Sequence, residues 1–455
     1  MANISEPLTF REKLGYGLGD AASNFFFVTF NIFLLYYYTD VFGITAAAVG
    51  GMFLITKIFD AFSDPIMGMI ADRTNSRWGK FRPYLLFAAI PYGLCGYAMF
   101  ANPDLGDTGK LVYAYVTYSL MMLAYTAINV PYSALMGVIS PVSMERTKVA
   151  SFRFFCAISA GWLVGTFVGP LKRTLGGGDD ALGFQLTMAI FALASVVLFW
   201  TTFATTQERV VPKPRKSDVR KDLQVLLSNG PWRVLFWAGI FTLINIAVRQ
   251  GTQLYYFKYY VGDEGIPIFL YFDKVDLFIS SGTLAMLVGV TLTRFLCERF
   301  EKRALLIVLS GINALCMAVF FFLPADAYGW MLGVNILGNI AAGPTPALVW
   351  SMYADCADYG EWKTGRRTTG LVFSGIQFSH KLGLAVGAGL AGIILSWFGF
   401  VANEIQSESA MFGIRFMFSI FPAIFALLGV IAIFFYRIDN ATLQQMERDL
   451  TTSRG

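Results

Sequence analysis

The stretch TTQERVVPKPRKSDVRKDLQVLLSNG, residues 205–230, is the longest polar and charged segment of an otherwise apolar chain, and it divides that chain near its middle. It holds two prolines and a dense set of Lys and Arg. On both sides of it, apolar runs recur at lengths that suit a membrane: a hydrocarbon core of about 30 Å takes roughly 20 helical residues to cross. About twelve such runs can be marked, at approximately 15–42, 44–71, 82–102, 111–138, 149–170 and 183–205, then 232–260, 277–296, 304–324, 328–354, 370–398 and 411–436. Residues 205–230 therefore read as a linker between two halves of six spans each.

With 56% hydrophobic residues, 14% charged residues and a mean hydropathy of +0.57, a chain of 455 residues is too apolar for a soluble domain. The runs are continuously apolar rather than alternating. Backbone groups in lipid must be satisfied within a segment or a closed barrel, so these runs predict helices. The expectation is an all-α integral membrane protein with about 12 transmembrane helices: an N-terminal half over 1–205, a linker over 206–231, a C-terminal half over 232–437 and a tail over 438–455. The opening MANISEPLTFREK is polar and lacks a short apolar core with a small-residue cleavage site, so no cleavable signal peptide is expected.

Basic residues follow one parity. Arg73, Arg77, Lys80 and Arg82 come after the second run, Arg146 and Lys148 after the fourth, and Lys213, Arg215, Lys216, Arg220 and Lys221 lie in the linker. Arg299, Lys302 and Arg303 come after the eighth run and Lys363, Arg366 and Arg367 after the tenth. The intervening loops are poorer in basic residues. By the positive-inside rule both termini and the linker are expected on the cytoplasmic side. The two halves also echo each other, with ADRTNSRWGKFRP after the second run and CERFEKRALL after the eighth, an arrangement that fits a transporter built from two rocking halves.

Ionisable residues inside the apolar runs are costly and mark function by default. The sharpest case is KIFDAFSDPIMG, residues 57–68, where Lys57, Asp60 and Asp64 share one helical face. Two carboxylates one turn apart in a low dielectric must hold a proton, bind a cation or lean on a positive neighbour. Pro65 should free the carbonyl of Ala61 at the same depth, an oxygen suited to a hard cation such as Na+. The rival reading is a salt-bridge cluster that pins helices together.

YTAINVPYSALMG in the fourth run offers Thr126, Asn129 and Tyr132 beside Pro131 and reads as a second broken helix; Pro344 and Pro346 should open the backbone of the tenth run. Arg153, Arg249 and Lys381 are buried cations. Lys381 lies too deep in its run to snorkel and calls for a carboxylate, for which Asp60 or Asp64 is the natural candidate. His380 beside it reads as a packed core residue, with a proton relay as the alternative. The aromatics of FFFVTFNIFLLYYY and LYYFKYY are expected to face lipid or its interfaces, with Phe25, Tyr255 or Tyr256 as candidates to stack on a sugar ring.

Cys95, Cys156, Cys297, Cys316 and Cys356 are scattered singly, without metal-ligand spacing. No Walker loop, H-E-x-x-H or G-x-S-x-G motif occurs, and GYGLGD lacks the spacing of a dinucleotide loop, so neither an enzyme nor an ATP-driven pump is expected.

Taken together, EKLGYGLGD (12–20), YYYTDVFGI (36–44), DAFSDPIMG (60–68), DRTNSRWGKFRP (72–83), INVPYSAL (128–135) and DYGEWKTGRR (358–367) resemble the glycoside-pentoside-hexuronide cation symporters of the major facilitator superfamily. The resemblance spans nearly the whole chain. It implies two six-helix halves around a central cavity, symport of a sugar or glycoside with Na+ or H+ by alternating access, no cofactor beyond the coupling ion, a monomeric transport unit amid membrane lipid, and a place in the bacterial cytoplasmic membrane. On it, Asp60 and Asp64 fall on the cation-site carboxylates (metal ligands if the ion is Na+), with Thr126 close by and Lys381 interacting. Asn24, Asn129, Tyr132, Arg153, Arg249 and Lys381 fall at the substrate site.

The chain departs from melibiose permease in having Asn24 and Asn129 where that protein has sugar-binding aspartates, and Ser133 and Pro346 where it has tryptophans. Amides in place of acids, with Arg153, Arg249 and Lys381 kept, make the expected cavity less negative and favour an anionic sugar such as a hexuronide. The charged groups Asp72, Arg73, Glu145, Arg146, Asp358, Glu361 and Arg366 are expected to pair across the halves as a cytoplasmic gate. A lysolipid or other amphiphile carrier and a non-translocating sugar sensor are the rival functions.

Overall fold

A computed structural model describes residues 8–140, 143–209, 219–365 and 369–454; within these, the side chains of 57–62, 65 and 72, among a few others, fall outside the description. The regular elements among the described residues are helices. In chain order they form α1 (Phe10–Thr29), α2 (Ala46–Arg73), α3 (Arg82–Phe87), α4 (Ala89–Ala98), α5 (Asp107–Val138), α6 (Ser143–Gly176) and α7 (Asp180–Thr205). After α8 (Val219–Ser228) come α9 (Gly230–Tyr255), α10 (Lys274–Arg299), α11 (Lys302–Val319), α12 (Tyr328–Ala342), α13 (Thr345–Thr364), α14 (Thr369–Trp397), α15 (Glu408–Phe418), α16 (Ile420–Phe434) and α17 (Asn440–Arg454). Among the described residues, nine helical stretches are long and apolar enough to cross a membrane.

Helix starts follow local chemistry. Thr9 and Glu12 form a reciprocal capping box at α1, and the side chains of Asp179, Asn229 and Ser407 accept from backbone N–H groups in the first turns of α7, α9 and α15. Past α1 the chain continues through two wider π-helical segments, Phe30–Leu34 and Tyr37–Val41.

The chain forms two compact units. Unit 1 comprises Met1–Pro214, Pro267–Asp276 and Val401–Glu404; unit 2 comprises Arg215–Ile266, Leu277–Phe400 and Ile405–Gly455. In unit 1, α1 packs against α6 and α7. Close approach depends on the small residues of GYGLGD: a Cβ on Gly17 would lie 2.8 Å from the Phe152 carbonyl oxygen, and one on Gly19 would lie 2.6 Å from the Tyr132 ring. Neighbouring hydroxyls also reach α1, as Ser195 and Tyr92 donate to the carbonyls of Ala22 and Ser23 at 3.0 and 3.1 Å.

The segment Pro267–Asp276 packs as part of unit 1. Arg173 of α6 is ion-paired with both Asp273 and Asp276 and donates to the Tyr271 carbonyl. The backbone N–H of Asp276 donates to Asp273 Oδ1 at 2.9 Å, so Asp273 caps the start of α10. Gly169 makes this docking possible, because a Cβ there would sit 2.0 Å from Asp276 Oδ1.

Unit 2 is centred on α9, which packs against α14 and α16. Its core joins Trp232, Leu348, Met352, Tyr353, Val372 and Ile433. Two buried polar side chains there find partners: Trp232 Nε1 donates to the Val372 carbonyl at 3.2 Å and Asn229 Nδ2 to that of Cys356 at 2.8 Å.

Two sequence expectations need correction. The helix around Pro131 is not broken, because α5 runs continuously from Asp107 to Val138 with Pro131 inside it. A proline deletes one hydrogen bond, and a long helix held by its neighbours can continue through that gap. Similarly, α2 continues through position 65, whereas the chain does interrupt its helix between Ala342 and Thr345. Most of the aromatics expected to face lipid or its interfaces instead fill the interior. Phe26, Phe33, Tyr37 and Tyr38 are buried in unit 1; Phe25 stacks on Phe191 at 5.1 Å, and Tyr256 stacks on Phe418 at 4.3 Å. Phe25, Tyr255 and Tyr256 are thus core residues. Lipid tails are as apolar as a protein core, so hydropathy alone cannot distinguish the two faces of a membrane helix.

Glu145, expected to pair across the halves, is held within unit 1. It bridges Lys13 and Lys148, each at 2.8 Å, and accepts from the Leu8 N–H at 3.1 Å. It lies on α6 ahead of the membrane-spanning part, which begins at Lys148. Hydrogen bonds from Lys13 and then Lys148 hold its carboxyl down to about 2 from an ordinary 4.5. A depressed carboxyl stabilises the fold above its unfolded value, and that contribution is lost as pH falls through the folded value. The melting temperature of the wild type should therefore decline between pH 4.5 and 2 by more than that of Glu145→Gln, and parallel pH profiles would refute the assignment.

Candidate functional site

Two polar clusters sit inside the helices of unit 1. The first joins α2 and α5. Thr126, itself buried, donates its hydroxyl to Asp64 Oδ1 at 3.0 Å, and Ser63 Oγ lies 3.4 Å from Thr126 Oγ1. Asp60 is one turn earlier on the continuous α2, and its side chain, like those of Lys57, Pro65 and Asp72, lies outside the described residues. A carboxylate and two hydroxyls form an oxygen-rich group suited to a hard cation or an exchangeable proton.

The second cluster joins α1, α5 and α6. Arg153 Nε lies 3.1 Å from Asp20 Oδ2, and its guanidinium carbon is 5.4 Å from the centroid of the Tyr132 ring. Tyr132 is locked in place. It stacks on Tyr16 at 4.6 Å, its hydroxyl donates to the Tyr16 carbonyl at 2.7 Å, and Tyr16 returns a hydrogen bond to the Tyr132 carbonyl at 3.0 Å. Nearby on the same helices, Ser23 donates to Asn129 Oδ1 at 2.7 Å, while Asn24 and Asn129 each donate to a carbonyl one turn back, at 2.8 and 3.1 Å.

Arg153, Asn24 and Asn129 are partly exposed hydrogen-bonding groups of the kind a sugar site requires, whereas Tyr132, expected at the substrate site, is fully buried against Tyr16 and offers no free face. Asp20 had no role in the sequence reading. The usable signal was an acid within the first apolar run, but its partner is contributed by a helix more than a hundred residues away.

Arg249 belongs to unit 2, where its guanidinium carbon lies 4.7 Å from the Phe320 centroid and 4.3 Å from that of Phe418, and Nη1 donates to the Phe418 carbonyl at 2.9 Å. Lys381 is partly buried on α14, next to His380, whose Nε2 is 3.1 Å from the Tyr353 hydroxyl. Of the charged groups assigned to a gate, Arg73 is exposed at the end of α2, Arg146 donates to the Ser140 carbonyl at 2.9 Å, and Asp358 and Glu361 are partly buried on α13. Arg366 lies outside the described residues.

This architecture is that of the major facilitator transporters. The crystal structure of a D-xylose–proton symporter aligns with a TM-score of 0.63 at 15% identity, covering 94% of this chain and 97% of that one. The sequence narrows the class further. The MFS/sugar transport protein family matches residues 15–440, and the chain belongs to that family.

It is 36% identical over 453 residues to the inner membrane symporter YicJ of Escherichia coli (strain K12), covering 99% of this chain and 96% of the relative. It is also 32% identical over 443 residues to the isoprimeverose transporter of Lactiplantibacillus pentosus, covering 94% and 89%. The chain is a multi-pass membrane protein of a transporter family.

Proposed function

We propose that this protein is a secondary active transporter that couples movement of a cation, Na+ or H+, to symport of a sugar or glycoside across a bacterial cytoplasmic membrane, with both termini and the linker on the cytoplasmic side. The observation that carries the reading is the Asp64–Thr126 pair within a chain of the sugar-transport family. Symporter relatives at 32% and 36% identity support it, and the charge parity of the loops supports the orientation.

In the proposed cycle the cation is held by Asp64, with Asp60 and the Thr126 hydroxyl, and sugar hydroxyls are held by Arg153 with Asn24 and Asn129. Each ligand favours a state that the other also favours, a reciprocal coupling of typically ~1–3 kcal/mol. The transport unit is a monomer, and no cofactor beyond the coupling ion is needed.

The test is uptake of radiolabelled methyl glucosides, xylosides and glucuronides into membrane vesicles under an imposed Na+ or pH gradient. Accumulation above equilibrium driven by one gradient is the expected result, and equilibration alone would refute symport. Thr126→Val removes one oxygen and the hydrogen bond that orients Asp64. It should raise the cation concentration for half-maximal uptake by about 10-fold or more, and an unchanged cation dependence would remove Thr126 from the site.

A further inference from the structure

Asn24 and Asn129 are neutral, so Arg153 considered alone would make the cluster in unit 1 cationic and attractive to an acidic sugar. Asp20 cancels that charge. The Arg153 Nη2 donates to Oδ1 at 3.4 Å and Nε lies within ion-pair distance of Oδ2 at 3.1 Å, so the pair is neutral. The carboxylate is the deeper partner: its side chain is 12% exposed, against 31% for Arg153. The stacked and mutually hydrogen-bonded Tyr132 and Tyr16 hold the guanidinium against an aromatic face, so it cannot swing away from Asp20 without losing that support.

We infer that Asp20 sets the charge selectivity of this site: by neutralising Arg153 it makes the protein prefer neutral glycosides to hexuronides. The inference rests on the sugar-transport reading and specifies its substrate class. A sugar hydroxyl can accept from the accessible part of the guanidinium without meeting a like charge. A sugar carboxylate that reaches Arg153 also approaches the carboxylate of Asp20, in a partly buried site where two such charges repel strongly. Asp20 acts through Arg153 and is therefore a positioning residue.

Equilibrium dialysis of the purified full-length protein, with radiolabelled methyl glucosides and methyl glucuronides of both anomers at pH 7, reads the preference directly. The wild type should bind the glucoside about tenfold or more tighter than the glucuronide of the same anomer. Asp20→Asn should shift that ratio about tenfold toward the acid, and Asp20→Glu, which restores the charge, should retain the wild-type ratio. A merely structural Asp20 would weaken both ligands together. A wild type that binds the glucuronide as well as the glucoside overturns the inference, and so does an Asp20→Asn protein with the wild-type ratio. Should Asp20→Asn fail to fold, the wild-type and Asp20→Glu ratios still decide. Binding of neither sugar overturns the inference together with the transport reading. Neutral-selective binding without gradient-driven accumulation in vesicles would refute symport alone, and accumulation with charge-blind binding would refute the inference alone.

Discussion

Asp64→Asn is expected to abolish gradient-driven accumulation of glycoside while leaving the protein folded in the membrane. The amide is nearly isosteric, and its oxygen can still accept the hydrogen bond that Thr126 donates to Asp64 at 3.0 Å, so the contact between α2 and α5 survives. What the substitution removes is the charge. A neutral amide neither exchanges a proton near neutral pH nor balances a bound cation, and losing a ligand of a cation site weakens binding by about 100-fold or more. Vesicle uptake under an imposed gradient, with protein amount and melting temperature measured in parallel, separates this from misfolding. Uphill accumulation at the wild-type level would make the Asp64 cluster a structural element that pins helices together.

Arg173→Ala should produce the largest loss of stability. The side chains of Asp273 and Asp276 are 4% and 1% exposed, and the guanidinium of Arg173 pairs with both. Truncation leaves two adjacent buried carboxylates without that cation, and removing one partner of a buried ion pair costs about 3–5 kcal/mol. Thermal unfolding in detergent should register the loss, and adding Asp276→Asn to Arg173→Ala should recover part of it by removing one of the two charges. Gly169→Ala tests the same docking sterically, since its Cβ would lie 2.0 Å from Asp276 Oδ1. Melting curves of both single variants that overlay the wild type would show that the segment Pro267–Asp276 is not held in the way the contacts imply.

The stretch of chain around Asp64 was easy to find and the one around Asp20 was not, and the difference is physical. Asp60 and Asp64 are repeated acids one turn apart in an apolar run, beside a proline, and cost alone marks them out. Asp20 is a single acid at the end of the glycine-spaced EKLGYGLGD, and its meaning lies in Arg153, on another helix. Glu145 shows the converse: a charged residue assigned by its loop to a gate across the halves is held by Lys13 and Lys148 inside unit 1.

The amino-acid sequence by itself determined the helical, membrane-spanning class, because twenty-residue apolar runs admit no other way to satisfy their backbones in lipid. It also determined where ionisable groups enter those runs and, through its motifs, the family. The tertiary structure alone decided which of those groups meet. Pairs such as Asp20–Arg153, Asp64–Thr126 and Arg173–Asp276 depend on how each helix is rotated about its axis and how closely its neighbours approach. That rotation is set by small residues such as Gly17, Gly19 and Gly169 acting between helices, and by which apolar faces meet protein rather than lipid. Hydropathy along a single strand of sequence carries neither quantity, because the two environments are equally apolar.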